Sequence, residues 1–112
     1  MLRVERNNIE MTKGDSIRLT IVLEGRELKE GTQALFTVKG TVWEPARPDI
    51  EMLIDVLDGQ NVHVLLAPED TELEPGDYVW DVRVLEEDDE GNVDVLTPME
   101  YGTLRVLEAI GR

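Results

Sequence analysis

Cysteine is absent from the 112 residues, so no disulfide braces the fold, and neither thiol catalysis nor a thiolate metal site is open to it. Histidine occurs once, as His63, and serine once, as Ser16. A serine–histidine–carboxylate relay needs a base in reach of its nucleophile, and zinc sites want several His or Cys ligands. One residue of each kind, with no Gly-x-Ser-x-Gly elbow, argues against both. His63 sits between valines and reads as a cross-strand surface residue. Aromatics make up only 4% of the chain, which supports a sugar-stacking platform poorly. No glycine-rich run precedes a helix pattern, so a phosphate loop is missing. No apolar run approaches the length of a membrane span. The N-terminal MLRVERNNIEMTKGD has no apolar core of a signal peptide, so the expectation is cytoplasmic synthesis, with assembly into a particle open to it.

Positive charge is also scarce. Eleven Lys and Arg face 25 Asp and Glu, a net charge of -14. That argues against nucleic-acid binding, which needs cations to release phosphate counterions, and against anionic membranes. The imbalance is concentrated: residues 57–112 carry 3 basic and 15 acidic side chains. Mutual repulsion and solubility account for this as a general property. A basic partner, or a cation at the acidic end, is the sharper alternative.

What the chain does have is alternation with period two. Ser16 to Leu23 places Ile17, Leu19, Ile21 and Leu23 on one face, the pattern of a half-buried strand. Ala34 to Lys39 does the same with Ala34, Phe36 and Val38. Glu51 to Leu57 could form a helical turn; an Asp58-Gly59 turn between two apolar runs favours a strand pair with Asn61 to Leu66. Pro68 and Asp70 suggest a short helical turn over Glu69 to Leu73. Tyr78, Trp80, Val82 and Val84 then alternate along the longest strand and read as core. Glu86 to Asn92 is an acidic hairpin loop with Gly91 placed for positive φ. Val93 to Leu96 and Gly102 to Leu107 close the chain. About seven short strands at spacings near ten residues predict an all-β, antiparallel two-sheet sandwich. The chain reads as a single domain over 1–112, with 1–8 and 108–112 expected to fray.

So acidic a chain raises two carboxylate chemistries. Starting a helix-loop-helix calcium loop at Asp88 puts Glu90, Asn92 and Asp94 at alternate positions, but Val93 stands where glycine is required and Met99 where glutamate is required. The template fails, and the solvated acidic turn is the better reading. Acidic pairs suited to a glycosidase are so frequent here that their occurrence carries no information. The expectation is therefore a non-enzymatic protein without metal or cofactor.

The segments also line up with a known group. Lys13-Gly14-Asp15 leads into an alternating strand, followed by Phe36-x-Val38-Lys39, then Leu66-Ala67-Pro68-Glu69-Asp70-Thr71, Leu73, Pro75-Gly76 and Tyr78-Val79-Trp80-Asp81-Val82. Over about residues 9 to 107 this resembles the small immunoglobulin-like β-sandwich proteins of tailed phages and prophages, among them the N-terminal domain of upper baseplate proteins. The most specific part is carried by Pro68, Asp70, Thr71, Leu73, Gly76, Tyr78 and Asp81, with spacing one residue short before Leu73. The resemblance implies an immunoglobulin-like sandwich. In it Pro68 stops a strand, Asp70 or Thr71 caps a turn, and Leu73 staples the turn to the core. Tyr78 returns its hydroxyl to the loop backbone. It also implies a virion structural or adaptor subunit, of tail or baseplate type, that contacts other virion proteins or itself. Because the last strand ends near residue 107, a stand-alone subunit is favoured over a receptor-binding one. Trp43, Pro45, Pro48 and the acidic residues Glu86, Glu87, Asp88, Asp89 and Glu90 are the candidate contact elements. The alternative is a carbohydrate- or ligand-binding sandwich, which would need Trp43 and Tyr101 exposed together.

Overall fold

In the computed structural model, residues 1–23, 28–29, 31–40, 48–56 and 59–110 are described. Nine strands and no helix occur among them: β1 (Leu2–Glu5), β2 (Asn8–Thr12), β3 (Ile17–Val22), β4 (Gln33–Lys39), β5 (Ile50–Asp55), β6 (Asn61–Leu66), β7 (Gly76–Glu87), β8 (Val93–Leu96) and β9 (Gly102–Leu107). Seven form one sheet in the order β1-β2-β9-β7-β4-β5, with β8 also paired to β7; β3 and β6 form a second, two-stranded sheet.

Period-two alternation explains the core. In the small sheet Ile17 stands opposite Leu66 and Ile21 opposite Val62, all four buried. In the large sheet Phe36 lies between Met52 and Val82, and Val38 between Ile50 and Trp80. These inward rows from both sheets belong to one buried cluster, with Phe36 fully buried and its ring centroid 5.9 Å from that of Trp80. Burying a side chain of this size contributes roughly 1.5–3 kcal/mol. Tyr78, expected in the core, is half-buried at its edge.

Four expectations change. The large sheet is mixed: β2 runs parallel to β9, with Ile9 opposite Leu104. Parallel neighbours need a long crossover, and here the crossover is everything between the second and last strands. β1 is an additional strand, joined to β2 through a two-residue turn at Arg6 and Asn7 and exposed throughout. β5 and β6 do not pair with each other across Asp58-Gly59: β5 pairs with β4 in the large sheet and β6 with β3 in the small one, while Leu57 and Asp58 lie outside the described residues. Finally, residues 68–71 form a hydrogen-bonded turn and no helix. Asp70 closes that turn locally: its amide donates to the Ala67 carbonyl and its carboxylate accepts the Ala67 amide, both at 2.9 Å.

Candidate interaction surface

All the fold-signature residues but Asp81 belong to one corner, the turns that lead into β7. Thr71 is fully buried, and its hydroxyl reaches the carbonyls of Asp15 at 2.8 Å and Pro68 at 3.2 Å. The Gly14 amide donates to the Thr71 carbonyl, so the Lys13-Gly14-Asp15 turn and the Pro68 turn hold each other. Leu73 packs half-buried against the core. Gly76 opens β7, and two residues on the Tyr78 hydroxyl donates back to the Glu74 carbonyl at 2.7 Å. Burial first, then the nearby Asp49 and Glu74 carboxylates, push the Tyr78 phenol above its ordinary value. This cluster fixes a corner and aims no reactive group at solvent.

Asp81 lies elsewhere. It faces outward from β7 across Thr37 of β4, which in turn faces Glu51 of β5. One step along, Arg83 and Leu53 flank Leu35; one step the other way, Lys39 lies opposite Val79. All of these except Leu53, together with Pro48 and Tyr101, line a groove of about 340 Å³ on the outer face of the large sheet. Its floor is apolar, from Leu35 and Val79. Its walls carry two carboxylates and two cations, and among the described residues none of the four is ion-paired. Tyr101 is 56% exposed at one side. Beyond Leu35 the same face continues through Leu85 to Val95, and Leu53 and Val95 are each 55% exposed.

The acidic hairpin is the second exposed feature. β7 runs on to Glu87, so Glu86 and Glu87 are strand residues and only Asp88 to Asn92 form the loop. Asp88 organises it: one carboxylate oxygen accepts the amides of Glu90 at 2.9 Å and Asn92 at 2.8 Å, and the other accepts the Asn92 side-chain amide. These bonds, the Asn92 amide first, hold its carboxyl below the usual range. Gly91 takes φ +85° to close the loop. Asp89 and Glu90 are exposed at the tip. Among the described residues no group of three or more His, Asp or Glu side chains lies close enough to hold a metal ion.

Of the other candidates, Pro48 lies in the groove, while Trp43 and Pro45 fall outside the described residues. His63 is exposed and stands opposite Thr20, with their side chains 3.2 Å apart. The groove itself escaped the sequence reading. Its members alternate with core residues on three strands, and only the register β5-β4-β7 brings them together. No described helix is long and apolar enough to cross a membrane. Compared with known protein families and with curated proteins, the chain matches none of either.

Proposed function

We propose that this chain is a non-enzymatic structural or adaptor subunit of the tail or baseplate type found in tailed phages and prophages, built as an immunoglobulin-like sandwich and acting through protein–protein contacts. The topology supports the immunoglobulin-like part. The order β9-β7-β4-β5 opposite β3-β6 parallels that of variable-type domains, and the Tyr78–Glu74 bond has the form of a tyrosine corner. The observation that carries the contact role is the outer face of the large sheet. Exposed Leu53 and Val95 extend an apolar row beside unpaired Lys39, Glu51, Asp81 and Arg83, a composition suited to a partner surface.

The test is incorporation. Particles induced from a cell carrying the tagged chain are purified on a density gradient and probed for it. The chain is expected in the particle fraction, and the pair Leu53→Asp with Val95→Asp is expected to lose it from that fraction while remaining folded. Particles free of the wild-type chain would remove the proposal. A second reading rests on Tyr101: an exposed aromatic beside Thr37, Glu51, Asp81 and Arg83 also suits a polyhydroxylated sugar. Calorimetric titration with oligosaccharides decides it, with binding lost in Tyr101→Ala.

A further inference from the structure

We infer that copies of this chain associate head to tail, the free edge of β3 in one molecule taking the free edge of β8 from the next. The inference stands apart from the particle reading, since it concerns two copies in solution.

Both strands have one unused side. Among the described residues β3 pairs only with β6, and β8 only with β7. Opposed residues in an antiparallel ladder alternate between hydrogen-bonded and non-bonded pairs. Leu23 donates to Gln60 at 2.9 Å, which continues the register of Ile17 with Leu66, so the backbone groups of Arg18, Thr20 and Val22 point off the β3 edge. Asp88 donates to Asn92 at 2.8 Å, which continues the register of Glu86 with Asp94, so those of Val93 and Val95 point off the β8 edge. Rows of unsatisfied amides and carbonyls are templates for another strand.

The side chains agree with this pairing and select the partner. Along β3 a groove of about 400 Å³ opens, lined by Leu19, Ile21, Leu23, Ile9, Trp80 and Met99, with Arg6 the only charged side chain among the described residues that line it. Val22 is 52% exposed at its rim. β8 offers Val93 and Val95, each 55% exposed. The charges are opposite. Arg6 and Arg18 are exposed beside the β3 edge and neither is ion-paired among the described residues. β8 carries Asp94 and adjoins Asp88, Asp89 and Glu90. Residues 1–23 hold four basic against three acidic side chains, while residues 81–94 hold one against seven. In a chain of net charge -14, the β3 side is where a second copy is repelled least and its β8 end attracted most. Because the two edges differ, the contact is heterologous and gives a ring or an open chain of subunits.

Sedimentation velocity at about 0.15 M salt, over about 10 µM to 1 mM, compares four chains. These are the wild type, Arg6→Glu with Arg18→Glu, Glu90→Lys with Asp94→Lys, and all four changes together. The wild type is expected to form species larger than a dimer as concentration rises. Each reversed pair should associate about tenfold more weakly or worse, and the fourfold variant should recover. Circular dichroism confirms that each variant folds. A wild type monomeric throughout, a closed dimer, or association indifferent to either reversal overturns the inference. So does a folded fourfold variant that fails to recover. A second measurement needs no charge change: the chain has no cysteine, so Val22→Cys with Val93→Cys should oxidise to a ladder of disulfide-linked copies. Only monomer on the gel refutes the pairing.

Discussion

Tyr78 and Gly102 each close a joint in the fold, one local and one between distant segments, by opposite means. The Tyr78 hydroxyl supplies a donor to the Glu74 carbonyl at 2.7 Å. Its pKa is raised in the fold, so its contribution is whole below the ordinary tyrosine value of about 10 and is lost as pH rises through the folded-state value. Tyr78→Phe should cost about 0.5–1.5 kcal/mol at neutral pH, and the difference between the two proteins should vanish at strongly alkaline pH. Urea unfolding of both at pH 7 and pH 11 measures this, and an equal gap at both would contradict it. Gly102 works by leaving space. A β-carbon there would lie 2.0 Å from the Asn7 carbonyl oxygen and 2.5 Å from the Trp80 indole nitrogen. That carbonyl accepts both the Trp80 indole at 3.0 Å and the Thr103 amide at 3.1 Å, so it has little freedom to retreat. Gly102→Ala should therefore destabilise by about 1–3 kcal/mol or more, read as a lowered urea midpoint. Tyr78 was legible in the sequence because its corner is local, four residues from its acceptor. Gly102 was not, because its demand comes from Asn7, which only the parallel pairing of β2 with β9 brings alongside.

At the scale of elements, strands with strict alternation and a local turn were legible: β3, β4, β6, β7 and β9 all follow the apolar period. β1 was hidden because its turn lacks the usual signal. Arg6 takes φ +54° where a hairpin of this length prefers glycine or asparagine, while Asn7 beyond it is held through its carbonyl by Trp80 and Thr103. The Asp58-Gly59 turn misled for the reverse reason: the local signal is present, but Ala34 to Val38 and Ile17 to Ile21 offer the flanking runs better partners in different sheets. The outer groove was illegible because no local pattern states the register. In the loop of the β7–β8 hairpin the side-chain bonds converge on one residue, Asp88, and that yields a prediction. Asp88 has a lowered pKa, so its turn-holding bonds are complete above the ordinary aspartate value of about 3.9 and fail as pH falls through the lower folded value. The amide protons of Glu90 and Asn92 should shift together in an acid titration by NMR, with a midpoint below that of a model aspartate. In Asp88→Ala the shared transition should be absent and both amides should exchange faster at neutral pH. Separate transitions for the two amides would show that Asp88 does not hold the loop as a unit.

For the whole molecule, charge outweighs individual pairs. Ion pairs among the described residues include Arg105 with Asp77, Arg3 with Glu10, and the N-terminal amine with Asp15, all on exposed or partly exposed groups. Exposed pairs of this kind contribute little and are themselves weakened by salt. Against them stand 25 acidic side chains facing 11 basic ones on a body with a Cα radius of gyration of 14.7 Å. Many acidic groups therefore lie within a few screening lengths of one another, since that length is about 10 Å at 0.1 M and about 30 Å at 0.01 M salt. The repulsion opposes the compact state more than the extended one, so screening should stabilise the fold. Between about 10 mM and 0.3 M sodium chloride the melting temperature is expected to rise, with a gain of about 1 kcal/mol corresponding to roughly 4–8 °C in a domain of this size. Sodium chloride suits the test because sulfate would add its own effect on apolar burial. Reversing charge at the exposed tip, as in Asp89→Lys with Glu90→Lys, should raise the melting temperature most at low salt and least at high salt, since the same repulsion is removed by either route. A melting temperature that falls as salt is added would mean that attraction within the few exposed pairs exceeds the repulsion among the acidic majority.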